Sequence, residues 1–217
     1  YLQPKCDFAT GEMRGAEALV RWNRPHEGLV PPDEFIPIFE KNGFIMRLDM
    51  FILEEAVRLL AAWKVKGLKP VPLAVNFSRL HLNDSRYIPQ MLRIMDKYGV
   101  AHELIEVELT ENVIFNNLSR AQRMMTGLHR LGFSVAMDDF GSGYSSLNVL
   151  KNLQFDSIKL DKEFLSGFED NPHAHQVIEG AVSMIKALGV KVVAEGVETK
   201  EQAAFLRQVG CDLAQGY

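Results

Sequence analysis

The sequence predicts an α/β fold in which parallel strands alternate with covering helices, and three observations predict it. Five amphipathic segments stop at a glycine (Gly67, Gly99, Gly132, Gly189, Gly210) immediately before a short apolar run, as helices ending in a left-handed cap do. Thr10-Gly11 separates two strand-like stretches so closely that they must run antiparallel. Acids, amides and a lysine recur at the C-terminal ends of the apolar runs, where barrel enzymes keep their active sites. Eight strands in 217 residues suit a closed barrel, which can manage with roughly 200 residues. A doubly wound open sheet is the alternative, although no glycine-rich nucleotide fingerprint follows the first strand.

Taken in order, Leu2 to Phe8 reads as the first strand and Met13 to Trp22 as the second. Asn23 to Pro32 is a Pro/Gly-rich loop. Pro32-Asp-Glu-Phe35-Ile36 opens one helix; Arg47 to Lys66 forms a longer one, with Leu48, Phe51, Ile52, Leu53, Ala56, Leu59 and Leu60 as its apolar positions. Val71 to Phe77 is the third strand. A helix over Tyr87 to Tyr98 leads to the fourth, Leu104 to Leu109, and a helix over Leu118 to Leu131 leads to the fifth, which ends at Asp138-Asp139. A short helix, Ser145 to Leu150, precedes the sixth strand, Ser157 to Leu160. Asn171-Pro172 supplies an N-cap and a first-turn proline for the helix running to Leu188. Val190 to Ala194 is the seventh strand. Thr199-Lys-Glu-Gln202 is a capping-box pattern opening the helix to Val209, and Cys211 to Ala214 is the last strand. Met124, Met125, Met184 and Phe205 read as packing residues beneath the helices. His173 and His175 read as surface residues, and His26, His81, His102 and His129 as histidines without ligand company.

Composition narrows the function. With 47% hydrophobic and 24% charged residues the chain suits a soluble domain, and its net charge of −4 gives no electrostatic case for binding a nucleic-acid polymer. No apolar run is long enough to span a membrane. Cys6 and Cys211 match no zinc spacing and read as free thiols in a reducing compartment. The expectation is a cytoplasmic domain, cut from a longer protein whose other parts are free to include a membrane anchor.

The central stretch is Phe133-Ser-Val-Ala-Met-Asp138-Asp139-Phe-Gly141-Ser-Gly143. Neighbouring side chains on a strand point to opposite faces, so the two aspartates share a face only if the backbone turns. Phe140-Gly141-Ser142-Gly143 is the expected turn, since glycine tolerates positive φ. Two carboxylates so close raise each other's pKa unless a cation neutralises them. Glu17, Asn76, Glu108 and Asp138 give an all-oxygen donor set, suited to Mg²⁺ or Mn²⁺ rather than zinc. Asp139 and Glu195 extend it to a second ion sharing Asp138, the arrangement that clamps attacking and leaving oxygens at phosphorus. Lys159 either orients the attacking water, neutralises a phosphate oxygen or pairs with Asp161; Arg21 either grips a phosphate or is a surface charge. Glu195 is the candidate base. A barrel glycosidase explains two acids but not Asn76, Lys159 and the full rim.

Glu17-Ala18-Leu19-Val20-Arg21, Pro32-Asp-Glu-Phe35-Ile36-Pro37, Asn76-Phe77-Ser78, Glu108-Leu-Thr-Glu111, Asp138-Asp139-Phe140-Gly141, Lys159-Leu-Asp161, Glu195-Gly-Val-Glu198 and Gln215-Gly-Tyr217 occur in an order that resembles, almost end to end, the EAL-domain family of bacterial cyclic di-GMP phosphodiesterases. The resemblance implies a TIM-like (β/α)8 barrel with its first strand antiparallel to the rest, and hydrolysis of cyclic di-GMP to linear pGpG. It implies that Glu17, Asn76, Glu108 and Asp138 hold one Mg²⁺ or Mn²⁺, and Asp138, Asp139 and Glu195 a second. Lys159 is then placed on the catalytic water. Glu111 supports the loop after Asp139, a region implied to couple the site to a homodimer contact. Gln3, Leu19, Arg21, Glu198 and Tyr217 contact substrate, and Gln215 supports the site. Further sensory or GGDEF domains are implied upstream. A catalytically silent cyclic di-GMP receptor is the other reading; such domains usually lose ligands or the base, and here all are retained.

Overall fold

The computed structural model describes every residue except 27, 142–145, 169, 170 and 217, and every remaining side chain except those of 146, 147 and 172. Eight strands close into a barrel. In chain order they are β1 (Leu2–Asp7), β2 (Met13–Ala18), β5 (Leu73–Asn76), β6 (Ile105–Thr110), β7 (Ser134–Phe140), β8 (Ser157–Leu160), β9 (Lys191–Val197) and β10 (Leu213–Gly216). β1 is antiparallel to both of its neighbours, β2 and β10, and the pairings from β2 round to β10 are parallel. The open-sheet alternative is thereby excluded.

The covering helices are α1 (Pro32–Asn42), α2 (Ile45–Val65), α3 (Tyr87–Tyr98), α4 (Glu111–Phe115), α5 (Leu118–Arg130), α6 (Ser146–Asn152), α7 (Pro172–Ala187) and α8 (Lys200–Val209). All five glycines that end helices ahead of strands take positive φ, between 60° and 96°, where a Cβ would be strained. Thr199 and Gln202 form the reciprocal capping box at the start of α8.

The expected second strand is too long. β2 ends at Ala18, and Trp22–Arg24 (β3) pairs with Gly28–Val30 (β4) as a separate hairpin within the expected loop. The chain leaves the barrel after Ala18, while Tyr1 and Leu19 still exchange backbone bonds. Periodicity cannot locate such an exit, because the apolar alternation runs on through Leu19 and Val20.

Alternation along each strand divides the barrel into two environments. Leu73, Val75, Val107, Leu109, Val135, Met137, Ile158, Leu160 and Val192 are all buried and belong to the hydrophobic core shared with the helices. Burying each such side chain contributes about 1.5–3 kcal/mol, and Leu109→Ala would cost about 2–5 kcal/mol. The alternate positions include Lys5, Glu17, Glu108, Asp138, Lys159 and Gln215, buried polar residues of the barrel interior. Met125 is buried, and Met124, Met184 and Phe205 pack partly buried against the core, as expected. Cys6 and Cys211 are free thiols. Among the described residues no helix is long and apolar enough to cross a membrane.

Candidate active site

Lys159 on β8 is 1% exposed and is the hub of the site. Its Nζ lies 2.8 Å from Glu195 Oε1, 3.0 Å from Glu17 Oε2, 3.0 Å from Asp138 Oδ1 and 3.1 Å from Glu108 Oε2. These carboxylates come from β9, β2, β7 and β6. Asp161, the partner considered for Lys159 from sequence, instead accepts from the Glu163 backbone N–H and caps a 3₁₀ turn. Asn76 Nδ2 donates to Glu17 Oε1 at 2.8 Å, and Gln215 Nε2 donates to Glu17 Oε2 at 2.7 Å and to Gln3 Oε1 at 3.1 Å.

One ammonium among four carboxylates leaves excess negative charge in a desolvated place, and the acids respond differently. Burial is the largest influence on Glu108 and outweighs the opposing pull of Lys159 and Lys5; its carboxyl is pushed up to about 8. Burial, with Asp138 adding to it against Lys159, pushes Glu195 up to about 7. Burial and the adjacent Asp138 push Asp139 up to about 6. Glu17 goes the other way: burial would raise it, but Lys159 and the bonds from Gln215 and Asn76 hold it down at about 2. Burial opposes the charge on Lys159 too, yet the surrounding acids hold it well above the usual lysine range.

The backbone reversal that brings Asp138 and Asp139 together occurs at Asp139 itself, one residue before the expected Phe140–Gly143 turn. Asp139 has φ 56°, and its N–H donates to Asp138 Oδ1 at 3.0 Å. Aspartate is among the few residues that visit this left-handed region, because its short polar side chain bonds locally. The β7–β8 register shifts between Met137 and Phe140, as a bulge requires. Oxygens of Asp138, Asp139 and Glu195 consequently lie within 4.8 Å of one another. The Ser142-Gly143 part of the expected turn lies outside the described residues.

Glu111, buried at the start of α4, accepts from the Gly141 N–H at 3.1 Å and so holds the backbone just beyond Asp139. A cleft of about 360 Å³ opens beside Glu17 and Asn76, with Leu19, Arg21, Ile36 and Phe77 on its walls. Arg21 is exposed there, with Nη1 donating to the Val20 carbonyl. Glu198 is exposed beyond β9. Tyr217 lies outside the described residues. A larger cleft, about 730 Å³, lies between α2 and α3; it is lined by Arg47, Arg86 and Arg93 and by none of the Lys159 carboxylates.

A lower layer of the same interior was missed from sequence. Lys5 Nζ bonds Glu108 Oε1 at 2.8 Å and Glu106 Oε2 at 2.7 Å, and Ser157 Oγ donates to Glu106 Oε1 at 2.6 Å. The signal was available in the two-residue period: Lys5 follows Gln3, Glu106 precedes Glu108 and Ser157 precedes Lys159 on the inward face. His175, read as a surface residue, is instead partly buried and bonds the Phe168 carbonyl at 3.0 Å. His81, on a 3₁₀ turn, is 1% exposed and bonded to Asp49, and His129 is bonded to Asp156.

The fold and this centre together define a class: an α/β barrel with a reversed first strand and an acidic, oxygen-donor cluster around one buried lysine at the C-terminal mouth. Within that class the chain belongs to the EAL domain family, whose model matches residues 1–217. Curated relatives include the cyclic di-GMP phosphodiesterase PA2567 of Pseudomonas aeruginosa, 36% identical over 99% of this chain and 36% of its own length. The cyclic di-GMP phosphodiesterase PdeR of Escherichia coli is 36% identical over 100% of this chain and 32% of its own length. The chain spans between 26% and 36% of the length of the curated relatives it matches. Among solved structures, a PaMucR phosphodiesterase in complex with c-di-GMP aligns with a TM-score of 0.93 at 32% identity, covering 99% of this chain and 87% of that one.

Proposed function

We propose that this domain hydrolyses one phosphodiester bond of cyclic di-GMP to give linear pGpG, in a reaction that requires divalent metal. The observation that carries the reading is the convergence of Glu17, Glu108, Asp138 and Glu195 on Lys159. The phosphodiesterase names of its relatives support the same reaction.

The donor set fits a hard cation. Its ligating atoms are carboxylate and amide oxygens, which suit Mg²⁺ or Mn²⁺. Burial, with neighbouring acids adding to it, pushes Glu108, Glu195 and Asp139 up, and a bound cation would offset that cost. Glu17, Asn76, Glu108 and Asp138 would hold one ion, and Asp138, Asp139 and Glu195 a second. Such ions, when bound, neutralise the phosphate and lower the pKa of the attacking water. Glu195, held against Lys159 Nζ at 2.8 Å, is the candidate to accept that water's proton. Lys159 orients the water against phosphorus. The water oxygen becomes bonded to phosphorus as one phosphorus–ribose oxygen bond breaks, the water's proton passing to Glu195 and the departing ribose oxygen taking a proton from solvent to leave as a hydroxyl. Gln3, Leu19, Arg21, Glu198 and Tyr217 contact the dinucleotide at the rim. Gln215 fixes Glu17, and Glu111 fixes the Gly141 backbone.

The region after Asp139 is proposed as a homodimer contact, coupled to the site through the Glu111–Gly141 bond. The full protein, by the lengths of its relatives, carries further sensory or GGDEF domains, with this domain working in the cytoplasm.

The test is incubation of the purified domain with cyclic di-GMP in Mg²⁺, in Mn²⁺ and in chelator, with separation of products. The expected result is pGpG that forms only with metal. Tight binding of cyclic di-GMP without turnover in any metal would replace this reading with a receptor.

A further inference from the structure

We infer that Asp49 and His81, which lie outside the acidic mouth, are positioning residues that set the direction of Asn76; the inference rests on the proposed metal-dependent hydrolysis there. Asp49 is carried by α2 and is buried, 8% exposed. Carboxylates are seldom buried unless paired. Its Oδ2 accepts from the Ser78 backbone N–H at 3.1 Å and lies 3.0 Å from His81 Nε2. A carboxylate there assigns the proton to Nε2. Nδ1 is buried without a hydrogen-bond partner among the described residues.

The ring is packed as well as bonded. Its centroid is 4.3 Å from that of Tyr87 and 5.3 Å from that of Phe77, and Phe77 and Tyr87 meet edge to face at 5.0 Å. The Phe77 N–H donates to the Glu108 carbonyl at 3.0 Å. The two residues that follow Asn76 are therefore fixed from opposite sides, Phe77 by β6 and Ser78 by α2. Asn76 is the last residue of β5, where a strand would otherwise be free to fray, and its side chain must reach Glu17. Asp49, Ser78 and Asn76 also line the same cleft. Releasing Ser78 would move the asparagine and the cleft wall together. Outer partners of metal ligands act this way, by orienting groups that touch the ion.

The test is calorimetric titration of Mn²⁺, alongside cyclic di-GMP turnover, on wild type, Asp49→Asn, His81→Phe and His81→Gln. Asp49→Asn is measured also in an Asn76→Ala background. Asp49→Asn and His81→Phe should weaken Mn²⁺ binding by about tenfold or more. His81→Gln, which keeps an N–H for Asp49, should stay close to wild type. Because the effect runs through Asn76, Asp49→Asn should weaken binding no further once Asn76 is alanine. Wild-type Mn²⁺ affinity in Asp49→Asn, or the same loss added on top of Asn76→Ala, would overturn the inference while leaving the hydrolase reading intact. A wild-type domain that neither binds Mn²⁺ nor turns over substrate would remove both. Should Asp49→Asn fail to fold, the contrast between His81→Phe and His81→Gln decides: equal losses in the two overturn the inference.

Discussion

At the scale of single residues, Lys159 governs the charge of the barrel mouth. Lys159→Met leaves buried carboxylates without their shared partner and should destabilise the metal-free domain by about 3–5 kcal/mol. Urea unfolding in chelator measures this, and Mn²⁺ should recover much of the loss; an unchanged midpoint in chelator would contradict the charge argument. The raised acids make a second prediction. Glu108, Glu195 and Asp139 titrate higher folded, at about 8, 7 and 6, than the ordinary carboxylate values they have unfolded. The folded state then binds more protons, so their contribution is fully present below the ordinary range and is lost as pH rises through 6 to 8. Glu17, held at about 2, acts oppositely, and its contribution is lost only as pH falls below the ordinary range. The melting temperature in chelator should therefore fall between pH 5 and pH 8.5, and Glu108→Gln should flatten that slope. The acids, Asn76 and Lys159 were legible in sequence because each sits at a strand end. Lys5 and Glu106 were not singled out because they lie one step deeper, and Asp49 and His81 because their pairing joins a helix to a 3₁₀ turn 32 residues away.

At the scale of elements, the end of β7 depends on Asp139 at φ 56°. Asn tolerates this region and β-branched residues do not. Asp139→Asn should melt near wild type, whereas Asp139→Val should cost about 1–2 kcal/mol by denaturant unfolding. Equal stabilities would mean the backbone reverses for another reason. Helix caps were the most legible elements, since Gly99, Gly210 and the Thr199–Gln202 box act through local geometry alone. The β3–β4 hairpin was illegible: strands of three residues carry too little alternation to register, and nothing local marks where β2 stops.

At the scale of the molecule, closure depends on the antiparallel β1–β10 pair and on Gln215, which bonds both Gln3 and Glu17. Deleting residues 213–217 exposes the edges of β1 and β9 and should yield a protein that associates and unfolds without a single sharp transition. Light scattering and thermal unfolding would show it; a truncated monomer with a cooperative melt would contradict the role given to closure. Alternation of strands and helices left barrel and open sheet undecided, because closure is a contact between the two ends of the chain. The family motifs resolved it, and they also carried the site assignments that no local pattern supplies.

The most direct measurement is cyclic di-GMP turnover with Mn²⁺ by Asp138→Asn, with its melting temperature recorded beside that of wild type. Asp138 is the carboxylate proposed to serve both ions, and its removal lessens the crowding on Glu108, Glu195 and Asp139 while giving up one contact with Lys159. The account predicts loss of pGpG formation in a domain that melts close to wild type. Turnover retained near the wild-type rate, or a chain that no longer folds, would contradict a functional, metal-holding role for Asp138.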